Sequence, residues 1–292
     1  MLTPNYLNKL DQLRIQSRKT YSGKYRGERR SKNRGTGIEF TDYRHYEPGD
    51  DLRYLDWNVY ARLEKPFIKL FQADEELSVS ILIDISQSMS FGQPSKLEYA
   101  KLIASVLGYI TLTNTDRVSV YTLSDQLSKV VPSIYGKSQF ICIERALSPI
   151  QAQGLTNLNV CLKHLSNFQP KVGVVVIVSD FLDSNGYTEG ISTLLGRGFT
   201  VSLIHLQSRE EIELLPPGDW QIEDSESGEK KEITINDDTF DFFQEEMESF
   251  RNTLKIFCKQ NAINYLNLST QMEIESVIIE DLLRTGVVEY KN

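Results

Sequence analysis

Three oxygen-bearing side chains, those of Asp84, Ser86 and Ser88, follow one apolar run at alternating positions. The run, residues 79–83, is rich in β-branched residues, which is typical of a buried parallel strand. A loop at the end of such a strand can turn one carboxylate and two hydroxyls inward together. Such a donor set suits Mg²⁺ or Mn²⁺, which prefer oxygen ligands and accept a further ligand from outside. The pattern therefore predicts a divalent-cation site.

The segment after this loop has the form of a helix start. Ser95 and Glu98 are spaced as the two ends of a capping box, and apolar residues follow at helical spacing. Strand, oxygen-rich loop and helix thus occur in the order that an α/β ligand site requires. Alternatively, Asp-x-Ser-x-Ser occurs in ordinary turns, where the side-chain oxygens only satisfy local backbone donors. The motif on its own leaves both interpretations open.

Asp84-x-Ser86-x-Ser88 resembles the first element of the metal-ion-dependent adhesion site (MIDAS) of von Willebrand factor type A domains. That family requires a Thr and an Asp on two later loops. Thr156, in a loop that contains glycine, and Asp180, after a further apolar run, stand in the required order. The resemblance implies one Mg²⁺ or Mn²⁺ site, where hydroxyls contact the metal and aspartates act directly or through water. Its predicted residues are Asp84, Ser86, Ser88, Thr156 and Asp180.

The composition is ordinary for a soluble globular protein, with 292 residues of which 40% are hydrophobic and 25% charged. A net charge of -8 argues against general nucleic-acid binding, although residues 14–34 hold nine Lys or Arg and one acid. No run reaches the roughly 18 apolar residues of a transmembrane helix, and the N-terminus lacks the apolar core of a signal peptide. We therefore expect a cytoplasmic protein without a membrane partner.

The cysteines and histidines do not form a recognisable site. Cys142, Cys161 and Cys258 are widely spaced in apolar contexts. We interpret them as buried thiols in a reducing compartment, not as a disulfide framework or a zinc site. The three histidines are scattered along the chain, and we expect each to be structural.

Residues 1–76 precede the predicted α/β domain. They contain a predicted helix within 4–19, a basic glycine-rich loop and a stretch crowded with aromatic and charged residues. That stretch resembles a large bacterial family catalogued as domain of unknown function 58, in which a type A-like domain follows just such a segment. The matching residues are Gly37, Glu39, Phe40, Asp42, Arg44, Tyr46, Pro48, Gly49, Asp50, Asp51, Arg53, Asp56, Trp57, Asn58, Ala61 and Arg62.

The charged residues of this stretch are interpreted as a lattice of Arg–carboxylate hydrogen bonds that locks the segment onto the domain. Nothing there supplies a paired base, a nucleophile or metal ligands at chemical spacing, so a catalytic role is the weaker alternative. The predicted members of the lattice are Glu39, Asp42, Arg44, Asp50, Asp51, Arg53, Asp56 and Arg62.

Strands alternate with helices after residue 76, which predicts a doubly wound, largely parallel α/β sheet, the fold that the resemblance also implies. We place the domain boundary between residues 76 and 77, giving domains 1–76 and 77–292. An acidic stretch in the second domain predicts a hairpin insertion near 213–238. Further strands are predicted at 117–123, 172–179, 200–206 and 265–268, and helices at 140–148, 241–260 and 273–284.

Three function classes compete for the predicted site. Type A domains leave an open metal position that a partner's Asp or Glu fills, so we expect a non-enzymatic, metal-dependent protein-interaction module. An aspartate-based phosphohydrolase or phosphotransferase would use Asp84 as nucleophile, but it needs a second carboxylate two residues on, where Ser86 stands. Nucleic-acid binding through residues 14–34 is the third class, and the acidic remainder of the chain opposes it.

The family resemblance also implies a partner. Members are typically encoded beside MoxR-type AAA+ ATPases and are thought to act with them as adaptors in the remodelling or maturation of other proteins. We therefore expect a MoxR-type AAA+ ATPase to supply the partner's carboxylate.

Overall fold

The computed structural model describes residues 4–17, 38–73, 76–169, 171–212, 218–223, 230–235, 237–272 and 280–291. Its strands are β1 (Leu13–Ile15), β2 (Ile38–His45), β3 (Phe67–Ala73), β4 (Ser78–Asp84), β5 (Arg117–Leu123), β6 (Leu127–Tyr135), β7 (Val174–Ser179), β8 (Thr200–Gln207), β9 (Gly218–Glu223), β10 (Lys230–Ile235), β11 (Asn264–Ser269) and β12 (Val288–Tyr290). Its helices are α1 (Pro4–Leu10), α2 (Trp57–Leu63), α3 (Lys96–Thr113), α4 (Phe140–Leu147), α5 (Leu158–Phe168), α6 (Thr188–Gly196), α7 (Arg209–Ile212), α8 (Asp237–Gln260) and α9 (Leu282–Arg284).

Two compact units divide the chain. Met1–Arg18 and Leu77–Asn292 belong to one unit, and Lys19–Glu76 form the other. Residues 1–18 therefore group with the larger unit and not with residues 19–76. The reason is that β1 pairs antiparallel with β12 and buries Leu13 and Ile15 in the larger unit.

A six-stranded sheet forms the centre of the larger unit. The strands lie in the order β11-β8-β7-β4-β5-β6. All neighbours are parallel except β5 and β6, which are joined as an antiparallel hairpin. The central strands are apolar on both faces because helices cover both faces of the sheet. The predicted doubly wound, largely parallel fold is confirmed.

The two faces of the sheet carry separate cores. Val79, Ile81 and Ile83 of β4 point into a core shared with α1, α3 and α4. Leu82, between them in the sequence, points into the opposite core, which α5, α6 and α8 complete. In the first core, α3 and α4 pack closely at Gly108, where an added Cβ would lie 2.6 Å from Ile143 Cδ1. These layers hold the carboxyl ends of β4 and β7 in fixed positions.

Most predicted elements of the larger unit are present. The acidic stretch forms the expected hairpin from β9 and β10, and its tip, residues 224–229, lies outside the described residues. The helix predicted within 4–19 is too long, because α1 ends at Leu10 and the chain then enters β1. Of the helix predicted at 273–284, residues 273–279 are not described, and α9 follows them.

The cysteines differ from the prediction in one case. Cys161 and Cys258 are buried, as predicted, in the core beneath α5 and α8. Cys142 is exposed, because α4 turns Ile143 and Leu147 toward the sheet and leaves Cys142 on its outer side. None of the helices in the described ranges combines the length and apolar character needed to cross a membrane.

The smaller unit is an antiparallel pair, β2 and β3, joined by a 3₁₀ turn at Leu52–Tyr54 and by α2. Among its described residues, three ion pairs connect these elements. Arg44 donates two hydrogen bonds to Asp50, at 2.8 and 2.6 Å, and Arg53 pairs with Asp51. These two pairs join residues named for the predicted lattice, and both lie within the smaller unit. The third pair joins Asp56 to a residue outside the predicted set, Lys69, at 3.0 Å.

Asp56 has a further role at the start of α2. Its carboxylate accepts hydrogen bonds from the backbone amides of Asn58 and Val59, at 2.9 and 3.2 Å, and from the Tyr43 hydroxyl at 2.9 Å. Lys69 and these donors together outweigh the effect of burial and lower the pKa of Asp56 to about 2. Asp56 is therefore a capping residue whose charge is fully compensated within its own unit.

Candidate metal centre

The candidate site lies where β4 and β7 end. From β4 the chain continues to β5 on one side, whereas β7 lies on the other side, so this edge is a topological switch point of the sheet. Open α/β sheets bind ligands in the crevice at such a point. Asp84 is the last residue of β4, and Asp180 directly follows β7. The register pairs Ile83 with Val178, which places Asp84 beside Ser179.

Asp84 is buried, and hydrogen bonds from three different partners hold its carboxylate. The Thr156 hydroxyl donates to Oδ1 at 2.6 Å, the Ser179 hydroxyl to Oδ2 at 2.5 Å, and the Ser86 amide to Oδ1 at 2.9 Å. Burial raises the pKa of Asp84, and the charge of Asp180 raises it further, while the two hydroxyl donors oppose this shift. The predicted meeting of Asp84 and Thr156 is present; Ser179 was not predicted.

The two serines of the motif lie beside this carboxylate. Their hydroxyl oxygens, Ser86 Oγ and Ser88 Oγ, are 3.0 Å apart. Ser88 is also hydrogen-bonded to Asp180 and lowers its pKa. All five residues predicted for the site, Asp84, Ser86, Ser88, Thr156 and Asp180, are therefore connected by direct contacts.

Backbone hydrogen bonds join the loop after β4 to the loop that carries Thr156. The Gln87 amide donates to the Gly154 carbonyl at 2.9 Å, and the Gln153 amide donates to the Ile85 carbonyl at 2.7 Å. Gly154 has a positive φ of 67°, a conformation that a side chain would strain. The position of Thr156 is thus fixed by backbone contacts on both sides of Ser86.

Asp180 has a cationic partner that the motif did not predict. Lys96 Nζ donates to Asp180 Oδ2 at 2.7 Å and to Glu211 Oε1 at 2.5 Å. Burial alone would raise the pKa of Asp180, but the ammonium group of Lys96 outweighs burial and lowers it. The signal in the sequence was a lysine at the first position of a helix, where the helix dipole disfavours a cation. Because Lys96 is also fully buried, it requires nearby carboxylates.

The backbone beside Asp180 is strained. Phe181 has a φ of 57°, in the left-handed region that bulky residues rarely adopt. Its buried ring is held edge-on by Tyr187 and His205, with ring centroids 5.7 and 5.9 Å away. Strain of this kind persists where surrounding packing imposes it, and it concentrates at functional sites. Here it turns the chain sharply after β7, directly next to Asp180.

A cavity of about 30 Å³ lies between these loops. A cavity needs roughly 10–15 Å³ to hold one water molecule, so this one has room for a small ion or water. Asp183, at its edge, accepts hydrogen bonds from the amides of Leu158 and Asn185, at 2.6 and 2.8 Å, and so serves the start of α5. The lining residues are Asp84, Ser86, Leu155, Thr156, Asp180, Leu182, Asp183, Ser184 and Asn185.

The donor set fits a hard divalent cation. The described residues contain no group of three or more His, Cys, Asp or Glu side chains that could hold a metal ion. A metal in this cavity would therefore depend on the hydroxyls of Ser86 and Thr156 in addition to the two aspartates, whereas Ser88, the remaining predicted ligand, does not line the cavity. Neutral and anionic oxygen donors are the ligands that Mg²⁺ and Mn²⁺ prefer, whereas thiolate and imidazole donors favour zinc.

Several solved structures are similar to this chain. BatB from Bacteroides thetaiotaomicron has a TM-score of 0.46 and 18% identity, covering 72% of this chain and 98% of that chain. The SpRpn10 VWA domain has a TM-score of 0.41 and 11% identity, covering 71% and 95%. Proximal thread matrix protein 1 from the mussel byssus, with a zinc-occupied MIDAS motif, has a TM-score of 0.37 and 18% identity, covering 46% and 39%.

Curated relatives come from mycobacteria. The uncharacterized proteins Rv1480 of Mycobacterium tuberculosis and Mb1516 of Mycobacterium bovis are each 28% identical to this chain over 209 residues. The matched region is 69% of this chain and 65% of each relative, so the chain spans about two thirds of their length. The family model described as "Protein of unknown function DUF58" matches residues 42–252, well over half of the sequence. The chain therefore belongs to the DUF58 family.

Proposed function

We propose that this chain is a non-enzymatic protein-interaction module that depends on a divalent cation, Mg²⁺ or Mn²⁺. The observation that carries the proposal is the convergence of Asp84, Thr156 and Asp180 on one ion-sized cavity at the switch point of the sheet. These residues come from three separate segments of the chain, so local turn chemistry alone does not account for their meeting. In particular, the Thr156 hydroxyl donates a hydrogen bond at 2.6 Å to Asp84, which lies 72 residues earlier in the sequence.

The charge of the cluster supports a divalent ion. Lys96 pairs with Asp180 and Glu211, and Asp84 interacts with Asp180 without a cation partner of its own, which leaves two negative charges uncompensated when all four groups are ionised. Buried charges of one sign are costly unless a counter-charge is present. A bound divalent ion would neutralise the surplus and would offer an electrophilic position to an incoming carboxylate.

The alternative functions have less support. An aspartate-based phosphohydrolase needs a second carboxylate two residues after its nucleophile. Ser86 occupies that position here, and its hydroxyl is paired with Ser88. Both oxygens of Asp84 already accept hydrogen bonds from hydroxyl groups. Nucleic-acid binding was assigned to residues 14–34, of which 18–34 lie outside the described residues.

The surroundings of the cavity indicate what kind of partner surface would fit. Leu155 and Leu182 line the cavity and are 54% and 46% exposed. A carboxylate that reaches the metal from another protein would therefore be flanked by apolar contacts. We propose that an Asp or Glu of a MoxR-type AAA+ ATPase is this ligand, and that the chain acts as an adaptor in remodelling or maturation of other proteins.

A pull-down from cell extract tests this function. The wild-type chain should retain its protein partner in Mg²⁺ or Mn²⁺ and release it in EDTA, and both Asp84→Ala and Thr156→Ala should fail to retain it. Asp50→Asn, which removes a carboxylate from the smaller unit, is the matched control and should behave as wild type. Recovery of the same ATPase at equal yield in Mg²⁺ and in EDTA would exclude this site as the docking point and would favour residues 14–34.

A further inference from the structure

Lys96 occupies a position that is unfavourable for a cation in two respects. It is fully buried, with 0% of its surface exposed. It is also the first residue of α3, an 18-residue helix, and the positive end of a helix dipole repels an ammonium group. A buried ammonium group is stable only when carboxylates pair with it. The sequence therefore places a positive charge here at a cost that local structure does not explain.

Two carboxylates from different loops hold this ammonium group. Asp180 comes from the loop after β7, and Glu211 comes from α7, after β8. Glu211 is itself fixed, because its Oε2 accepts the Ser208 amide at 2.8 Å and its own amide donates to Ser208 Oγ at 3.2 Å. Lys96 thus joins a helix to two strand ends on the same edge of the sheet.

This arrangement restricts what Asp180 can do for a metal. Its Oδ2 accepts the hydrogen bond of Lys96, and its Oδ1 accepts the Leu182 amide at 3.2 Å. Asp180 nevertheless lines the same cavity as Asp84. An ion in that cavity would contact Asp180, which is already hydrogen-bonded to the ammonium group of Lys96. Two positive charges this close repel each other strongly in a buried site.

We propose that Lys96 is the internal counter-cation of the metal site. Its ammonium group compensates part of the negative charge of Asp180 and so keeps divalent-cation binding weak and reversible. The same ion pair keeps the protein folded when no metal is bound. Glu211 acts in the opposite direction, because it compensates part of the charge of Lys96. This role rests on the proposed metal site, and it goes further by assigning a function to two residues that are not metal ligands.

Calorimetric titration with Mn²⁺ tests the role of Lys96. Lys96→Met should bind Mn²⁺ more tightly than wild type, by roughly tenfold or more, because the competing charge is gone. Its thermal stability without metal should fall, and saturating Mn²⁺ should restore much of it. Lys96→Arg, which keeps the charge, should bind with nearly wild-type affinity. Lys101→Met, on the same helix but paired with Glu98 at the surface, should leave the affinity unchanged.

Glu211→Gln provides a second test with the opposite sign. It should weaken Mn²⁺ binding, because the charge of Lys96 is then compensated by Asp180 alone. This variant keeps the proposal testable if Lys96→Met does not fold. Tighter binding by Glu211→Gln, or equal or weaker binding by folded Lys96→Met, would overturn the role of Lys96 and leave the metal site in place. An absence of Mn²⁺ binding in wild type and Lys96→Met alike would overturn the proposed metal-dependent function itself.

Discussion

Charged side chains serve different purposes in the two units of the chain. In the smaller unit each of three carboxylates has its own cation. In the larger unit Asp180 and Glu211 share one cation, Lys96, and the neighbouring buried Asp84 has hydrogen-bond donors but no ion pair. Matched pairs hold a fold together, whereas a buried surplus of carboxylate charge creates a place for a cation from outside. The matched pairs are Arg44–Asp50, Arg53–Asp51 and Lys69–Asp56.

Two aspartates illustrate the contrast. Lys69 and several hydrogen-bond donors lower the pKa of Asp56 to about 2. Burial and the neighbouring Asp180 raise the pKa of Asp84, although three groups donate hydrogen bonds to it. Both residues directly precede a turn or helix, so their local sequences do not separate them. For these two aspartates, the difference is that Asp56 has a cation partner and Asp84 has none.

The largest expected effect concerns the stability of the buried cluster. Asp180→Asn should lower the free energy of unfolding by about 3 kcal/mol, because removing one partner of a buried ion pair leaves the other poorly compensated. Asp84→Asn should leave stability unchanged or raise it, because it removes a buried charge that Asp180 repels. Urea unfolding followed by circular dichroism measures both variants.

The smaller unit supplies the control for this comparison. Asp50→Asn breaks a pair in which the side chain of Arg44 is 31% exposed, so its loss of stability should be smaller than that of Asp180→Asn. If the free energy of unfolding fell as much in Asp84→Asn as in Asp180→Asn, Asp84 would be a structural residue. The contrast between the two units would then fail.

The pH dependence of the larger unit should reflect His205. This residue is buried, its Nδ1 lies 2.9 Å from the Tyr265 hydroxyl, and burial lowers its pKa to about 4. The His205 imidazole is protonated near pH 6.5 in the unfolded chain but only near pH 4 in the folded chain. The free energy of unfolding should therefore fall as the pH falls through that range. The expected loss is about 3 kcal/mol. His205→Gln should make the free energy of unfolding depend less on pH. An unchanged slope between pH 6.5 and pH 4 would contradict the role of His205.

The smallest effect is expected in the smaller unit, at lower pH. The depressed pKa of Asp56 contributes stability that is complete above pH 4 and is lost as the pH falls toward about 2. In a Trp220→Phe background Trp57, in α2, is the single tryptophan and reports this unit. Its urea midpoint should stay constant between pH 7 and pH 5 and fall below pH 4. A midpoint that falls together with the His205 transition would contradict the separation of the two units.

The candidate site was largely predictable because its residues stand at strand ends. Asp84 and Asp180 each follow a run of buried β-branched residues, and parallel strands bring their carboxyl ends to one edge. Ser179 was not predicted, since its contact with Asp84 requires the β4–β7 register. Lys96 and Glu211 were not predicted either, because they meet only when β8 lies next to β7 in the sheet.

The start of the chain was predicted less well. Leu7, Leu10 and Leu13 have helical spacing, which favours a longer helix than the one present. The helix ends at Leu10 because Leu13 and Ile15 pair with β12, a strand more than 270 residues later in the sequence. Local periodicity cannot reveal a partner at that distance. In the smaller unit, Arg44 and Asp50 were predictable as a pair because a short turn brings them together.

Titration with Mn²⁺ tests the central claim, that a surplus of buried carboxylate charge marks a cation site, most directly. Wild type, Asp84→Asn and Asp50→Asn would be titrated in an isothermal calorimeter after dialysis against EDTA and then against metal-free buffer. Wild type and Asp50→Asn should bind one ion per chain, and Asp84→Asn should show no binding, although it remains folded. Absence of binding to wild type, or equal binding to wild type and Asp84→Asn, would contradict the claim.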